Sequence, residues 1–230
     1  MSAGVTALRG DGRSGTAKIR SMCSIVPIGG CDTYRTPALS TADAQWFQEH
    51  GFATVQSLVV FQHDGRVRSD VSDTITCRNM TCRQVMLRPQ RQLLADVLTI
   101  DAESFPTPWN LSGQTLRHAC RATSEHRILI AYSAPDTSPL GYAIVGRVGM
   151  HAYLQRLAVS PAQRRRGAAK RLVHDAARWA ATRGATTMLV NTEPANDAAR
   201  ALYRTLEFVL LPDLLVVMER AVHSTEGTHQ

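Results

Sequence analysis

The chain has 230 residues, a formal net charge of +7 and an ordinary hydrophobic fraction of 44%. This length can hold one domain or one and a half, with enough residues for a substantial core. No apolar run approaches the roughly 18–20 residues of a membrane span, and the N-terminus lacks the hydrophobic segment of a signal peptide. We therefore expect a soluble, cytoplasmic protein with no membrane partner.

The positive charge comes almost entirely from arginine, because Lys18 and Lys170 are the only lysines. Such an excess suits an anionic ligand or nucleic acid. Nucleic acid is the weaker interpretation, since the chain has no recognition-helix pattern, RNA-binding signature or aromatic stacking platform. The five cysteines are odd in number and form no C-x-x-C pair. We therefore expect reduced thiols, with neither a metal site nor a disulfide framework. Assembly into a homo-oligomer stays open.

Composition divides the chain into five parts. Residues 1–18 are rich in Gly, Ser and Arg without a sustained period, which indicates a flexible tail. Residues 19–64 are predicted to form an N-terminal α/β segment. Residues 65–87 are polar and arginine-rich with little periodicity, which is typical of a linker. The main domain is predicted over 88–222, and 223–230 form a second flexible tail.

Hydrophobic periodicity predicts the following elements in chain order. They are a strand at 19–28, a helix at 40–51, a strand at 52–61, helices at 91–105 and 110–123, strands at 127–133, 140–149 and 151–159, a helix from about 167 to 184, a strand at 186–191, a helix at 196–206 and a strand at 213–220. The order from residue 91 is α-α-β-β-β-α-β-α-β, which implies a mixed sheet with helices on its faces. The apolar face of the helix near 167–184 consists of Leu172, Val173, Ala176, Ala177 and Ala180.

The stretch RRRGAA, from Arg164 to Ala169, follows a predicted strand and begins a predicted helix. The first turn of a helix has unpaired N–H groups and the positive end of the helix dipole, so it can bind an anion. Small residues from Gly167 onward would let a phosphate approach the backbone closely. An alternative to an anion site stays open at this point. In it, Gly167 only allows the chain to turn into the helix, and the arginines are solvated.

Two motifs resemble the GCN5-related N-acetyltransferase (GNAT) family. Arg164-x-x-Gly167-x-Ala169 resembles the Q/R-x-x-G-x-G/A pyrophosphate loop of that family. The segment NTEPANDAARALYRTLEF, at 191–208, resembles a later family segment with an Asn near a helix start and a Tyr in ALY. The resemblance covers roughly residues 88–220. It implies an α/β fold with a mixed, mostly antiparallel sheet flanked by helices, here preceded by an extra N-terminal α/β segment.

The sequence FPTPW, at 105–109, is similar to the ribosomal-protein alanine N-acetyltransferase branch of the same family. In that branch this loop lies by the peptide site. The resemblance therefore implies an acceptor that is a protein N-terminus or another primary amine.

The resemblance also implies where acetyl-CoA binds. The co-substrate would lie in a V-shaped opening between the strand that ends at Val159 and the strand that ends at Asn191. The implied binding residues are Leu157, Ala158, Val159, Arg164, Arg165, Arg166, Gly167, Ala168, Ala169, Asn196 and Tyr203. Main-chain groups of the strand would pair with the pantetheine arm, and one N–H would polarise the thioester carbonyl. The backbone of the arginine–glycine stretch would hold the pyrophosphate.

Two side chains are the candidates for proton transfer. Tyr203 would protonate the departing thiolate, and its alternative role is that of a core aromatic. The alanine acetyltransferase branch has a glutamate where this chain has Asn191, and an amide cannot accept a proton. Glu193 lies two residues on and faces the same side if the strand continues. Glu103 is a further candidate for contacting the acceptor amine, and proton loss to water without a side-chain base is also open.

A weak internal repeat links the two ends of the chain. Residues 47–61 align with 203–217 without gaps, so that Phe47 matches Tyr203 and Phe52 matches Phe208. The N-terminal α/β segment is therefore a candidate remnant of a second acetyltransferase unit. It has no counterpart of the arginine–glycine stretch, so we expect no second acetyl-CoA site. Chance similarity between two amphipathic helix–strand segments is the alternative.

The resulting hypothesis is an acetyl-CoA-dependent N-acetyltransferase that acts on a primary amine by direct transfer in a ternary complex, without a metal. The second hypothesis is an acyl-CoA-binding module with weak or no catalysis that recruits a partner. The glutamate missing at Asn191 motivates this second hypothesis.

Overall fold

The computed structural model describes residues 24–28, 31–65, 74–133 and 138–222. These residues belong to two compact units, a larger one of Val59–Pro212 and a smaller one formed by residues up to Leu58 together with those from Asp213 onward. The strands are β1 (Ser24–Ile28), β2 (Cys31–Arg35), β3 (Leu39–Ser40), β4 (Ala53–His63), β5 (Ile75–Met80), β6 (Glu125–Ser133), β7 (Gly141–Val148), β8 (His151–Val159), β9 (Thr187–Thr192) and β10 (Val209–Ala221). The helices are α1 (Thr41–Glu49), α2 (Cys82–Val85), α3 (Arg91–Ser104), α4 (Gly113–Arg121), α5 (Ala168–Ala181) and α6 (Asp197–Thr205), with 3-10 helices at Arg88–Gln90 and Pro161–Gln163.

The larger unit contains a mixed sheet. Its strands lie in the order β4, β9, β8, β7, β6, β5, where β4 contributes residues from Val59 onward. All neighbouring strands are antiparallel except β8 and β9, which are parallel. This arrangement confirms the predicted mixed, mostly antiparallel α/β fold.

Helices cover both faces of this sheet because its central strands are apolar on both sides. Along β6, Ile128, Ile130 and Tyr132 belong to a core cluster with α2, α3 and α4, whereas Leu129 and Ala131 belong to a second cluster with α5 and α6. The apolar face predicted for α5 is confirmed, since all of its members are buried. They are Leu172, Val173, Ala176, Ala177 and Ala180.

The smaller unit is an antiparallel arrangement with one helix. In it β2 pairs with β1 and with the end of β10, and β3 also pairs with β10. Ser40 caps α1, because its side chain accepts a hydrogen bond from the N–H of Asp43 at 3.1 Å. The apolar face of α1 contributes Ala44 and Phe47 to a core cluster with Phe52. The helix and strands predicted for this region are present.

The predicted linker over 65–87 requires a correction in its described part. Residues 75–80 form strand β5, which pairs with β6 from Ile75 opposite Ser133 to Met80 opposite Ile128. Helix α2 follows directly, with Thr81 and Gln84 forming a capping box. As the outermost strand of the larger unit's sheet, β5 carries polar residues such as Arg78 and Asn79, so it lacks the apolar run of a central strand. The predicted tails 1–18 and 223–230 lie outside the described residues, as do 19–23 and 134–137.

The two segments that align in sequence end their helices in the same way. The N–H of Phe52 and the N–H of Phe208 each donate to the carbonyl oxygen five residues earlier, at 3.0 and 2.9 Å. The residues just before them, Gly51 and Glu207, both have left-handed backbones, with φ of 78° and 62°. Helices often end in this geometry, so the remnant acetyltransferase unit stays a prediction.

The chain before residue 64 supplies a strand to the larger unit, and removing that strand is expected to be damaging. Residues from Val59 to His63 pair with β9, and the Phe61 side chain is fully buried in the core. Deleting residues 1–64 should therefore expose the edge of β9 and yield aggregated protein, because an open apolar edge recruits other chains. Deleting residues 1–18 should leave the melting temperature unchanged.

A point substitution checks the same contact without truncation. Phe61→Ala should lower the free energy of unfolding by about 3–5 kcal/mol, as large-to-small changes at buried aromatic positions do. Chemical denaturation of the full chain measures this change. A soluble, monomeric protein of residues 65–230 with the melting temperature of the full chain would contradict the role of this strand.

Candidate active site

Strands β8 and β9 separate along their length and leave an opening between them. Their parallel pairing joins His151, Ala152 and Tyr153 to residues 187–189. Beyond Tyr153, β8 continues to Val159 paired only with β7 among the described strands. We call the space between residues 154–159 of β8 and 190–192 of β9 the cofactor opening. The name follows the V-shaped opening for acetyl-CoA that the family resemblance implies.

An irregularity in β8 accompanies the separation. Val145 lies opposite Leu154 and Ile144 lies opposite Arg156, so Gln155 is an extra residue in β8. Such a β-bulge bends a strand and increases its twist. The bulge lies where β8 leaves β9, so it is placed to produce the opening.

Alternate peptide groups of β8 beyond the bulge point into the cofactor opening. The N–H of Ser160 donates to the backbone oxygen of Leu140, on the β7 side, at 3.0 Å. Peptide groups along a strand point alternately to its two edges, so those of Ala158 also face β7. The N–H and C=O groups of Leu157 and Val159 therefore face the opening. They are placed to pair with an extended ligand as a further strand would.

The arginine–glycine stretch forms an exposed turn at the N-terminus of α5. Arg165 and Gly167 both have left-handed backbones, with φ of 65° and 90°. Left-handed residues occur in backbone concavities that bind anions, and a non-glycine residue with this conformation is uncommon. Among the described residues, no backbone N–H from Arg165 to Lys170 donates to a backbone oxygen. The N–H of Arg171 is the first to do so, and it bonds to the carbonyl of Gly167 at 3.0 Å. The N–H groups from Arg165 to Lys170 remain available for a ligand.

All three arginines of this turn are exposed. Arg164 Nε lies 3.4 Å from the carbonyl oxygen of Val159, and the Arg166 guanidinium contacts the side chain of Gln163. Ala168 is buried and Ala169 is half-buried, so their side chains face the protein while the turn faces outward. The turn thus combines open backbone donors with positive charge, which suits a phosphate group.

The residues that follow β9 are arranged as a turn into α6. Asn191 is half-buried in β9 opposite Val60. The strand ends at Thr192, so Glu193 lies in the exposed turn that follows. The alternation of side chains along a strand therefore does not place Glu193 on the same side as Asn191. Asn196 caps α6, because its side-chain oxygen accepts a hydrogen bond from the N–H of Ala199 at 3.1 Å. The NH₂ group of the Asn196 side chain stays available as a donor.

Tyr203 lies inside the core of the larger unit. Its ring packs against Phe61, at 5.7 Å between centroids, and against Phe208, at 5.6 Å. Burial raises the pKa of its phenol well above the usual value, so the hydroxyl keeps its proton at neutral pH. A protonated hydroxyl is what a general acid needs. The aromatic packing is typical of a core residue, so the surroundings of Tyr203 are compatible with both roles.

A buried polar cluster near this site has no counterpart among the sequence predictions. Asp101 on α3 is fully buried and accepts hydrogen bonds from Arg156 Nε at 2.8 Å and Nη2 at 2.9 Å. The Tyr142 hydroxyl donates to the same carboxylate, and burial raises the pKa of Tyr142. Two sequence signals could have revealed the cluster. One is the acidic residue Asp101, which lies four residues after Val97 on the apolar face of α3. The other is Arg156, which lies within the apolar strand β8.

Residues 24–28, 31–65, 74–133 and 138–222 contain no group of three or more His, Cys, Asp or Glu side chains that could hold a metal ion. None of the helices in these residues is both long and apolar enough to cross a membrane.

Comparison with known proteins identifies the family. Residues 94–208, half of the chain, match the family model of the acetyltransferase (GNAT) family. The chain belongs to the GNAT family. It is therefore an N-acetyltransferase, and the GNAT family uses acetyl-CoA as co-substrate. A search of the curated proteins found no match.

Solved structures with the same fold include several GNAT proteins. A putative acetyltransferase from Novosphingobium aromaticivorans is 16% identical with a TM-score of 0.58, over 85% of this chain and 77% of that one. A GCN5-related N-acetyltransferase from Sphaerobacter thermophilus is 15% identical with a TM-score of 0.56, over 82% of this chain and 59% of that one. This chain thus spans less than two thirds of the Sphaerobacter protein's length. The ribosomal-protein-S18-alanine N-acetyltransferase from Escherichia coli is 17% identical with a TM-score of 0.47, over 67% of this chain and 99% of that one. At 16% and 15% identity, the likeness to the Novosphingobium and Sphaerobacter proteins concerns the GNAT fold alone.

Proposed function

We propose that this protein transfers the acetyl group of acetyl-CoA directly to a primary amine within a ternary complex, and that protein N-termini are among the acceptors to test. The observation that carries the proposal is the cofactor opening, which combines outward-facing strand peptides at Leu157 and Val159 with open N–H groups from Arg165 to Ala169. One set of donors suits the amide-bearing pantetheine arm, and the other suits the pyrophosphate.

The two sets of donors also fit one extended ligand. Both sets lie on one continuous stretch of chain, because the 3-10 helix Pro161–Gln163 joins the end of β8 to the arginine–glycine turn. In this proposal the N–H groups of Leu157 and Val159 bind the arm and polarise the thioester carbonyl. The backbone from Arg164 to Ala169 binds the pyrophosphate, and the free amide of Asn196 contacts the arm.

Direct transfer is preferred over an acetylated enzyme because the elements that border the opening supply no thiol nucleophile. Strands β8 and β9, the arginine–glycine turn and α6 contain no cysteine. Cys77, on β5, has its pKa raised to about 12 by burial and by the nearby Asp175, so its thiol is not ionised at neutral pH. The acceptor amine itself is then the nucleophile.

Proton transfer in the proposal uses two side chains. Tyr203 donates the proton that the departing thiolate takes up, since its hydroxyl stays protonated at neutral pH. Glu193 removes the proton of the acceptor amine, directly or through water, from its exposed position after β9. Water alone takes this proton if Glu193 is not the base.

The test is an acetylation assay with acetyl-CoA and a panel of primary amines, which includes peptides that begin with alanine. Initial rates measured against both substrates should give intersecting double-reciprocal lines, as a ternary complex requires, whereas parallel lines would indicate an acetylated enzyme. Glu193→Gln should lower the rate, and the exposed control Glu49→Gln on α1 should leave it unchanged. If the wild-type protein binds acetyl-CoA but acetylates no amine, the proposal fails and the acyl-CoA-binding hypothesis replaces it.

A further inference from the structure

The buried cluster around Asp101 joins three separate parts of the larger unit. Arg156 lies at the bulge of β8, and Asp101 lies in the last turn of α3. A second hydrogen bond from Arg156 Nη2 reaches the backbone oxygen of Trp109 at 2.8 Å. The N–H of Leu111 donates to Asp101 Oδ1 at 2.5 Å. The loop between α3 and α4 is therefore tied both to the strand and to the helix.

The side chain of Arg156 also holds the beginning of this loop. Its guanidinium carbon lies 3.5 Å from the centroid of the Phe105 ring, which is a close cation–π contact. We call residues 105–111 the 105–111 loop. Arg156 thus contacts the loop at Phe105 and at Trp109, while its partner Asp101 contacts the loop at Leu111.

Each polar group of this cluster has defined partners. The Asp101 carboxylate accepts hydrogen bonds from Arg156, from the Leu111 N–H and from the Tyr142 hydroxyl. Asp101 and Arg156 are 0% and 5% exposed. Burying an ion pair is costly, and a well-packed apolar pair often gives equal stability. A buried pair bonded to the backbone of a loop at two positions is suited to fix one arrangement of that loop.

The 105–111 loop begins beside the reacting end of the cofactor opening. Ser160, which directly follows β8, donates from its hydroxyl to Glu103 Oε2 at 3.1 Å. Val159, the preceding residue, presents its peptide groups to the opening. The end of α3 therefore runs beside this part of β8. A pantetheine arm would extend from the pyrophosphate turn back along β8, so its thioester end would lie toward Leu157 and the adjacent Arg156, and an acceptor amine has to reach that point. The loop that leaves α3 here borders the path of the acceptor.

We propose that Asp101 and Arg156 are positioning residues, which hold the 105–111 loop against β8 so that the acceptor amine is presented to the acetyl group. This inference rests on the proposed function, because it assigns the acceptor side of the same site. Neither side chain takes part in bond making. They act through the loop backbone at Trp109 and Leu111.

The test uses a double variant that removes the ion pair but keeps its volume. Asp101→Leu with Arg156→Met should fold, because apolar residues of similar size replace a buried pair without loss of stability in comparable cases. The matched control is Glu125→Leu with Arg147→Met, which removes an arginine–carboxylate pair elsewhere in the same unit, bonded at 3.0 Å. Arg156→Lys keeps the charge but cannot bond to both Asp101 and Trp109 in the same way.

Two readouts separate loop positioning from general stability. Chymotrypsin cleavage after Trp109, identified by mass spectrometry, should become at least about tenfold faster in the double variant than in the control, because a loop held by fewer backbone bonds opens more often. With an alanine-initiated peptide as acceptor, KM for the peptide should rise at least about tenfold, while Kd for acetyl-CoA stays within about twofold. Arg156→Lys should give intermediate values of both, and it is the variant that decides if the double variant does not fold.

The outcomes distinguish this inference from the proposed function. Unchanged cleavage after Trp109 in a folded double variant overturns the inference, whatever the activity. Faster cleavage with an unchanged peptide KM also overturns it, because the loop then has no part in acceptor binding. If the wild-type protein acetylates no amine, the proposed function fails, and the cleavage readout alone decides whether Asp101 and Arg156 hold the loop.

Discussion

Replacing Gly167 by glutamate is expected to abolish acetyl-CoA binding. Gly167 has a φ of 90°, a conformation that side-chain-bearing residues rarely adopt. A glutamate there would strain the turn and place a carboxylate beside the N–H groups proposed to hold the pyrophosphate. The loss of two charge-assisted hydrogen bonds at about 1.5–3 kcal/mol each corresponds to at least a 100-fold weaker affinity. Isothermal titration calorimetry with acetyl-CoA measures the change.

Milder substitutions in the same turn separate charge from backbone geometry. A Cβ at position 167 would meet only Ile75 Cδ1, at 3.8 Å, so Gly167→Ala adds no clash and tests the backbone conformation alone. Changing Arg164, Arg165 or Arg166 singly to alanine should weaken binding severalfold at most, because these side chains are exposed and the principal donors belong to the backbone. Undiminished affinity in a folded Gly167→Glu protein would show that the pyrophosphate binds elsewhere.

Tyr203→Phe is expected to lower kcat by about 100-fold, the usual contribution of a general acid, while leaving the affinity for acetyl-CoA nearly unchanged. The substitution keeps the aromatic ring that packs between Phe61 and Phe208 and removes only the hydroxyl. The fold should therefore survive, and the melting temperature should change little. Steady-state kinetics on an acetylated amine provides the measurement.

The pH dependence gives this tyrosine a second signature. Burial raises the pKa of Tyr203 above its usual value near 10, so the wild-type rate should show no fall between pH 7 and pH 10 from loss of this proton. Tyr132→Phe on β6 is the control, since burial raises the pKa of that phenol as well. A kcat within about twofold of wild type in Tyr203→Phe would leave the residue as a core aromatic only.

The local features of the fold could be predicted from the sequence because short-range physics determines them. The apolar face of α5 follows from helical spacing, and the caps at Ser40 and Asn196 follow from side chains that accept N–H bonds in a first turn. The same reasoning places the arginine–glycine stretch at a helix start. Its left-handed backbone at Arg165 has no sequence signal, because that conformation is rare for arginine.

The features that depend on distant contacts could not be predicted. Strand β5 has a polar pattern, and only its pairing with β6 makes it a strand. The apolar run from Val59 to Phe61 predicts burial, but its own sequence does not indicate which strand it pairs with. Asp101 and Arg156 are 55 residues apart in sequence. Each alone would be a buried, unpaired charge in an apolar element. Only the fold shows that each satisfies the other.

The central claim is that acetyl-CoA binds in the cofactor opening with its pyrophosphate on the backbone of the arginine–glycine turn. Amide hydrogen exchange of the full-length protein, measured by mass spectrometry with and without acetyl-CoA, tests it most directly. The account predicts slower exchange in peptides that cover Leu157, Val159 and the N–H groups from Arg165 to Ala169, because each of these amides gains a hydrogen-bond acceptor. Saturating acetyl-CoA that slows exchange elsewhere in the chain and leaves these amides unchanged would contradict it.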